Sequence, residues 1–402
     1  MLYLQDMKRR FLTALLVAVL TLAGASAKSL IKGLKSNEVP VFITLGQSNA
    51  DGSAMFDPDE DARMRQWYES GENPGTMKMW YRSSQVENQP RNSRGEHPRW
   101  VTDGKIQDVP AGWLDLWYRN ENTAGRTAMN MIHGYGTYST GSGTDCAQGR
   151  RGMEGEFGIE FQRHFPGAPL YMLKLGASGS HISAWANPDD DHNWTYFLDS
   201  IYRPAITDLL ARGLRPRLAG IWWMQGCADS GATEAYYREC LERLVERCRT
   251  ELGFPEARLL IGHVVKPGES ADYPDASVQF GQGVRDAQDA VAAATGGVDI
   301  VDTRNIDFQY EKAFNGHLHY SHRGVNAIGR MLADSVAAAG PASWSRFSTP
   351  GRWEKDSSGL PVFIPTVGRP TITYKRTKGG VTATLRYPGF TEKKYYSMSS
   401  AL

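Results

Sequence analysis

Val41-Phe42-Ile43-Thr44-Leu45-Gly46-Gln47-Ser48-Asn49-Ala50-Asp51-Gly52 is the stretch that decides how this chain is read. Its first half is a short apolar run, as expected of a strand covered on both faces. Its second half opens with a glycine that permits a sharp turn and places a serine two residues later. A serine at the tip of a strand, ringed by small and amide residues, is well placed to act as a nucleophile. Asn49 can hydrogen-bond the loop and hold that hydroxyl exposed. Taken alone, a serine after a strand is more often an ordinary turn or helix-cap residue than a nucleophile.

Working outward, four further apolar runs follow at 170–174, 218–224, 259–265 and 298–302. Helical periodicity separates them. Residues 153–165 place Phe157, Phe161 and Phe165 on one face, and 196–211 carry Pro204 as an expected kink. Residues 234–252 align Tyr237, Cys240, Leu241, Leu244, Val245, Cys248 and Leu252 in one stripe with Gly253 at the stop. Helices are also expected over 278–294 and 322–339, the latter capped by Ser321. Alternating β and α segments predict a three-layer α/β fold around a doubly wound, flavodoxin-like, five-stranded parallel sheet. In such sheets the site lies beyond the carboxyl ends of the strands.

Residues 53–152 break this rhythm. They form a long insertion holding Trp67, Trp80, Trp100, Trp113 and Trp117, five of the eleven tryptophans. Two roles are open for these rings, stacking on sugars or forming a small satellite core. Residues 345–402 read as a small β-rich C-terminal appendage with alternating stretches at 371–374 and 381–385. The catalytic unit is thus expected over 28–344.

Across 402 residues, 45 basic and 44 acidic side chains leave a net charge of +1, which gives no reason to expect a nucleic-acid partner. Lys8-Arg9-Arg10, the apolar run 11–22 and Ala25-Ser26-Ala27 predict a signal peptide over 1–27, cleaved before Lys28. The expected destination is the periplasm or the exterior, without stable membrane insertion; an uncleaved N-terminal anchor is the alternative. Export permits disulfides. Cys240 and Cys248 fall about 12 Å apart along one helix, too far to bond each other. The sequence does not choose among the other pairings; at most one disulfide is expected, and Cys146 with Cys227 is one pair it could be.

Three later segments complete the pattern. Leu175-Gly176-Ala177-Ser178-Gly179-Ser180-His181-Ile182-Ser183-Ala184-Trp185 follows one strand, and its small residues let backbone approach a ligand. The Gly179 N–H is a candidate oxyanion donor. Trp222-Trp223-Met224-Gln225-Gly226-Cys227-Ala228-Asp229 ends another strand, with the Gln225 amide a second candidate. Gly316-His317-Leu318-His319-Tyr320-Ser321-His322 precedes the last helix and offers a base. Three close histidines also raise metal binding, but no acidic or cysteine ligand sits at matching spacing.

Together these motifs resemble the SGNH (GDSL-like) hydrolase superfamily, in the branch of carbohydrate esterases that includes sialate O-acetylesterases and acetylxylan esterases. The likeness spans about residues 39–338 and is weak over 53–152. It implies the SGNH hydrolase fold and a serine esterase acting on acetylated carbohydrates. Ser48 would attack the acetyl carbonyl, and His319 would act as general base and then as acid. The Ser48 N–H, the Gly179 N–H and the Gln225 amide would hold the oxyanion. No metal or cofactor is implied. Two positions depart from the family pattern: the usual aspartate three residues before the histidine is Gly316, and the usual glutamate of the third motif is Cys227. Asp229 and Asp302 are substitutes by position, Asn315 offers an uncharged one, and a Ser–His dyad needs none. His322 is the fallback for His319. A different class of function also stays open, a catalytically weak or inactive relative that binds glycans.

Overall fold

The computed structural model of the chain describes residues 31–55, 57–70, 77–81, 112–116, 150–177, 179–187, 189–264, 281–303, 306–311 and 316–348. It also describes strand segments at 351–355, 361–365, 371–377, 380–387 and 390–397. The expected signal peptide, Cys146, Asn315, Trp100 and Trp117 lie outside these residues.

Strand β1 (Glu38–Gly46) is buried along its whole length and runs into the one-turn helix α1 (Ser48–Asp51). The insertion contributes β2 (Ala54–Met55), α2 (Pro58–Glu69), β3 (Met77–Tyr81), β4 (Gly112–Asp115) and β5 (Arg150–Arg151). Then come α3 (Glu154–His164), β6 (Leu170–Gly176), α4 (Ser183–Ala186), α5 (His192–Tyr196) and α6 (Arg203–Ala211). They are followed by β7 (Arg215–Met224), α7 (Glu234–Thr250), β8 (Leu259–Gly262), α8 (Gln282–Ala294) and β9 (Val298–Val301). The hairpin β10 (Phe308–Glu311) and β11 (Gly316–Tyr320) leads into α9 (His322–Ala339) and β12 (Ser345–Arg346).

The main sheet runs β4-β3-β6-β1-β7-β8-β9, with β12 also paired to β7. Pairing is parallel from β3 through β9, while β4 and β12 are antiparallel additions. The five runs read from the sequence are β1, β6, β7, β8 and β9, and they lie side by side. Among the described residues the sheet nevertheless has eight strands rather than five. β3 and β4 come from the insertion, where each is only four or five residues long. β12 is a two-residue strand, too short to leave a periodic signal.

Strand alternation explains the layers. Val41, Ile43 and Leu45 of β1 join Leu173, Ile221, Trp223 and the apolar stripes of α6, α7 and α8 in one core. Phe42 faces the other way, into a second core with Met172, Trp222, Phe157 and Phe161 of α3 and Ile328 and Leu332 of α9. Helix α7 starts at Thr233, whose side chain accepts from the Tyr236 N–H, and α9 starts at Ser321, which accepts from the Gly324 N–H. The kink at Pro204 takes the form of a π-helical stretch, Phe197–Tyr202, directly before α6. The missing proline N–H and its ring clash are accommodated by widening the turn.

The described tryptophans of the insertion are packing residues. Trp80 meets Trp113 edge-on at 5.2 Å, Trp113 meets Tyr171 at 4.8 Å, and the Trp113 indole donates to Asp208 at 2.8 Å. Trp67 lies against the second core. These contacts favour the satellite-core alternative at those three positions. Toward the C-terminus, β13 (Gly351–Lys355) pairs with β14 (Pro361–Pro365). β15 (Thr371–Thr377), β16 (Gly380–Tyr387) and β17 (Phe390–Ser397) form an antiparallel three-stranded sheet that contains both alternating stretches. Among the described residues, no helix is long and apolar enough to cross a membrane.

Candidate active site

Three neighbouring strands, β6, β1 and β7, end together, and their outgoing loops are laced to one another. Gln47 is the knot between two of them. Its N–H donates to Met224 O at 3.0 Å, and its side-chain oxygen accepts from the Gly226 and Ala228 N–H groups at 3.1 and 3.3 Å. On the other side, the Ala177 N–H donates to Gly46 O at 2.8 Å. Two glycines make this convergence possible. Gly46 has φ +141°, and a Cβ there would stand 2.1 Å from Met224 O. A Cβ on Gly176 would stand 2.5 Å from the Asp51 nitrogen. Larger residues at either point would push the loops apart.

Ser48 opens α1 and is 5% exposed. Its hydroxyl makes no hydrogen bond to a described residue. Its N–H occupies the first turn of a helix, where no intrahelical acceptor exists. Gly179 takes φ +67°, and its N–H likewise donates to no described residue. Two backbone donors and one hydroxyl therefore stand at the mouth of adjacent loops.

Asn49 ties the Ser48 loop to the histidine segment. Its amide donates to Leu318 O at 3.3 Å, and its oxygen accepts from the Tyr320 N–H at 3.1 Å. The two bonds grip the backbone on either side of His319, which is 6% exposed. The neighbouring His322 points elsewhere, with Nε2 3.4 Å from Asp57. The side chain of His317 lies outside the described residues.

Two expected roles are not matched by the geometry. Gln225 cannot serve as an oxyanion donor as placed, because both hydrogens of its amide have acceptors, Ser180 O at 2.9 Å and Asp229 at 2.6 Å. Both partners of the nitrogen are acceptors only, which fixes the amide orientation, and the oxygen lies 2.9 Å from the Tyr237 hydroxyl. Asp229 does not orient His319. One of its oxygens faces His181 Nδ1 at 2.9 Å, and the other accepts from the Ile182 N–H at 2.8 Å and from Gln225. The sequence placed Asp229 at the right strand end, but both of its oxygens are turned to partners in the local loop. Asp302 follows β9 and is exposed. Gly316 begins β11 opposite Glu311.

Cys227, which stands at the family's glutamate position, is a free thiol, as are Cys240 and Cys248. Cys146, raised above as the possible partner of Cys227, lies outside the described residues. The Cys227 thiol meets the Asn49 side chain, and burial pushes it up to about 11, so it is neutral at pH 7 and supplies no charge to the site.

Behind the Ser48 loop lies a buried ionic cluster that the sequence did not reveal. Lys174 of β6 pairs with Glu154 of α3 at 2.7 Å, with side chains 1% and 0% exposed. The same ammonium donates to Asp51 O. Burial holds the Asp51 carboxyl well above the usual range; Lys174 opposes the shift and Glu154 adds to it. The apolar surroundings of Lys174 in the sequence give no hint of a partner 20 residues upstream on a helix.

Among known proteins, residues 139–338 match the family model for "carbohydrate esterase, sialic acid-specific acetylesterase". The match takes in the second, third and fourth motifs and leaves out the Ser48 segment. No curated protein sequence matches the chain. Among solved structures, it is similar to a protein from Arabidopsis thaliana, at 16% identity and TM-score 0.42, covering 74% of this chain and 98% of that one. A carbohydrate acetylesterase from Xanthomonas citri aligns at 14% identity and TM-score 0.42, over 87% of this chain and 62% of that one. A lipase/acylhydrolase from Enterococcus faecalis aligns at 15% identity and TM-score 0.29, over 46% of this chain and 87% of that one.

Proposed function

From the premise that residues 139–338 carry a carbohydrate esterase domain of the sialic acid-specific acetylesterase family, we propose that the protein is an exported serine esterase that removes O-acetyl groups from carbohydrates. The observation that carries the reading is the pair of Asn49 hydrogen bonds, which brings the Ser48 loop and the His319 strand into one unit. In this reading Ser48 Oγ attacks the acetyl carbonyl and its proton passes to the His319 imidazole. The Ser48 and Gly179 N–H groups receive the developing oxyanion. The sugar oxygen leaves with the proton held by His319, and water then attacks the acetyl-enzyme with His319 again as base. Gln225 and Asp229 hold the oxyanion loop in place rather than touching the reacting atoms.

The second reading, a weakly active or inactive glycan binder, draws support from Gly316, Cys227 and the engagement of Asp229 by His181. A charged partner stabilises the imidazolium formed on attack, and its loss costs orders of magnitude in rate. Acetate release from acetylated sugars and 4-nitrophenyl acetate separates the two. The esterase reading expects release by the purified protein that is abolished in Ser48→Ala and His319→Ala with the fold unchanged. No release from any substrate by folded protein would leave the binding reading.

A further inference from the structure

The loop that follows β6 carries a second histidine–carboxylate pair, outside the roles just assigned. His181 Nδ1 lies 2.9 Å from Asp229 Oδ1, with the histidine side chain 47% exposed and the aspartate 6% exposed. A buried carboxylate with two further donors on it acts as the acceptor, so Nδ1 carries the hydrogen. In the neutral ring Nε2 is then an unprotonated acceptor. A group that offers it a hydrogen must be a donor, and a sugar hydroxyl is such a group.

A different element supplies a second, independent feature. Tyr236, on the first turn of α7, is 45% exposed, the exposed large apolar side chain among the described residues. Its hydroxyl meets the Ser183 hydroxyl and the Cys240 thiol, and it lies close enough to Asp229 to feel that charge. Ser183 is two residues beyond His181. The ring is thereby held beside the His181 loop with part of its surface open to solvent. An open aromatic ring next to a fixed hydrogen-bond acceptor is the pairing that a pyranose requires, with C–H bonds on one face and O–H bonds at the rim.

We infer that His181, oriented by Asp229, and Tyr236 form a sugar subsite beside Gly179, which takes the ring of the acetylated substrate and accepts a hydrogen bond from one of its free hydroxyls. This inference rests on the esterase reading for its place in catalysis. Asp229 is a positioning residue, and His181 and Tyr236 contact the substrate.

The test compares an O-acetylated methyl hexoside bearing a free hydroxyl next to the ester with 4-nitrophenyl acetate, which has neither hydroxyl nor sugar ring. The subsite predicts that the ratio of kcat/KM for the hexoside over that for 4-nitrophenyl acetate falls at least tenfold in His181→Ala and in Tyr236→Ala, mainly through KM. Tyr236→Phe and Tyr236→Trp, which keep a ring, should retain most of the ratio. An unchanged ratio in both alanine variants overturns the subsite. Failure of the esterase reading looks different, as wild-type protein with no Ser48-dependent turnover of either compound. In that case binding of the hexoside to the wild-type protein, measured by saturation-transfer NMR, decides the subsite. Loss of that signal in both variants upholds it, and retention overturns it.

Discussion

Asn49→Ala is the substitution that separates the site's two requirements, a stable scaffold and a registered histidine. Asn49 is 8% exposed and makes two bonds to the backbone flanking His319, at 3.3 and 3.1 Å. Truncation leaves the buried Tyr320 N–H and the part-buried Leu318 carbonyl without these partners. A buried unsatisfied donor costs about 1–3 kcal/mol, and the more accessible carbonyl about 0.5–1.5 kcal/mol. The expected total is about 1.5–4.5 kcal/mol, or a fall in Tm of roughly 2–7 °C for a domain of this size. The rate should suffer more. A misplacement near 1 Å costs about a hundredfold, so kcat on 4-nitrophenyl acetate should fall by about two orders of magnitude. Asn49→Asp keeps the acceptor toward the Tyr320 N–H but sets a carboxylate oxygen against Leu318 O. It should lose less stability than the alanine variant and still lose most of the rate. Differential scanning calorimetry and steady-state kinetics on the three proteins give both quantities. If Tm falls as expected while kcat stays within twofold of wild type, Asn49 does not govern His319 and the reasoning is refuted.

Lys174→Met should cost about 3–5 kcal/mol in urea unfolding, because it strands Glu154 as an unpaired buried charge; adding Glu154→Gln should recover much of the loss. Asp51→Asn probes the same cluster through pH. The folded-state value of Asp51 is raised, so its contribution to stability is complete below the ordinary carboxylate range and is lost as pH rises through the folded value. The asparagine variant should accordingly gain Tm over wild type at pH 8, with the gain vanishing near pH 4, and a gain independent of pH would contradict the assignment. Gly316→Asp places a carboxylate three residues before His319, where the family pattern has one, and should raise kcat at least tenfold; an unchanged kcat in a folded variant would show that this position does not reach the imidazole.

The central strands were legible because a sheet covered on both faces demands short, continuous apolar runs, and β1, β6, β7, β8 and β9 are such runs. The helices were legible for a related reason. The stripe from Tyr237 to Cys248 and the cap at Ser321 each state one local preference that the packing does not overrule. The strands β3, β4 and β12 escaped because their pairing depends on neighbours far along the chain. At the site, Ser48, Asn49, Gly179 and His319 were visible as motifs. The duties of Gln225 and Asp229 were not, since a motif names a residue and leaves open which of several nearby donors or acceptors it meets. His181 sat in plain view inside the second motif. The signal that could have found it is the placing of a histidine in the loop after one strand and an aspartate in the loop after the next strand in chain order, two strands that flank β1 in the sheet.

The central claim is that Ser48 becomes acylated. It is tested most directly by treating the protein with a serine-directed fluorophosphonate and locating the adduct by peptide mass spectrometry. The account predicts one adduct, on the peptide containing Ser48, absent from Ser48→Ala and formed much more slowly in His319→Ala, with loss of acetate release in step with labelling. Acetate release that persists in Ser48→Ala, or an adduct on another serine that tracks the activity, would contradict it.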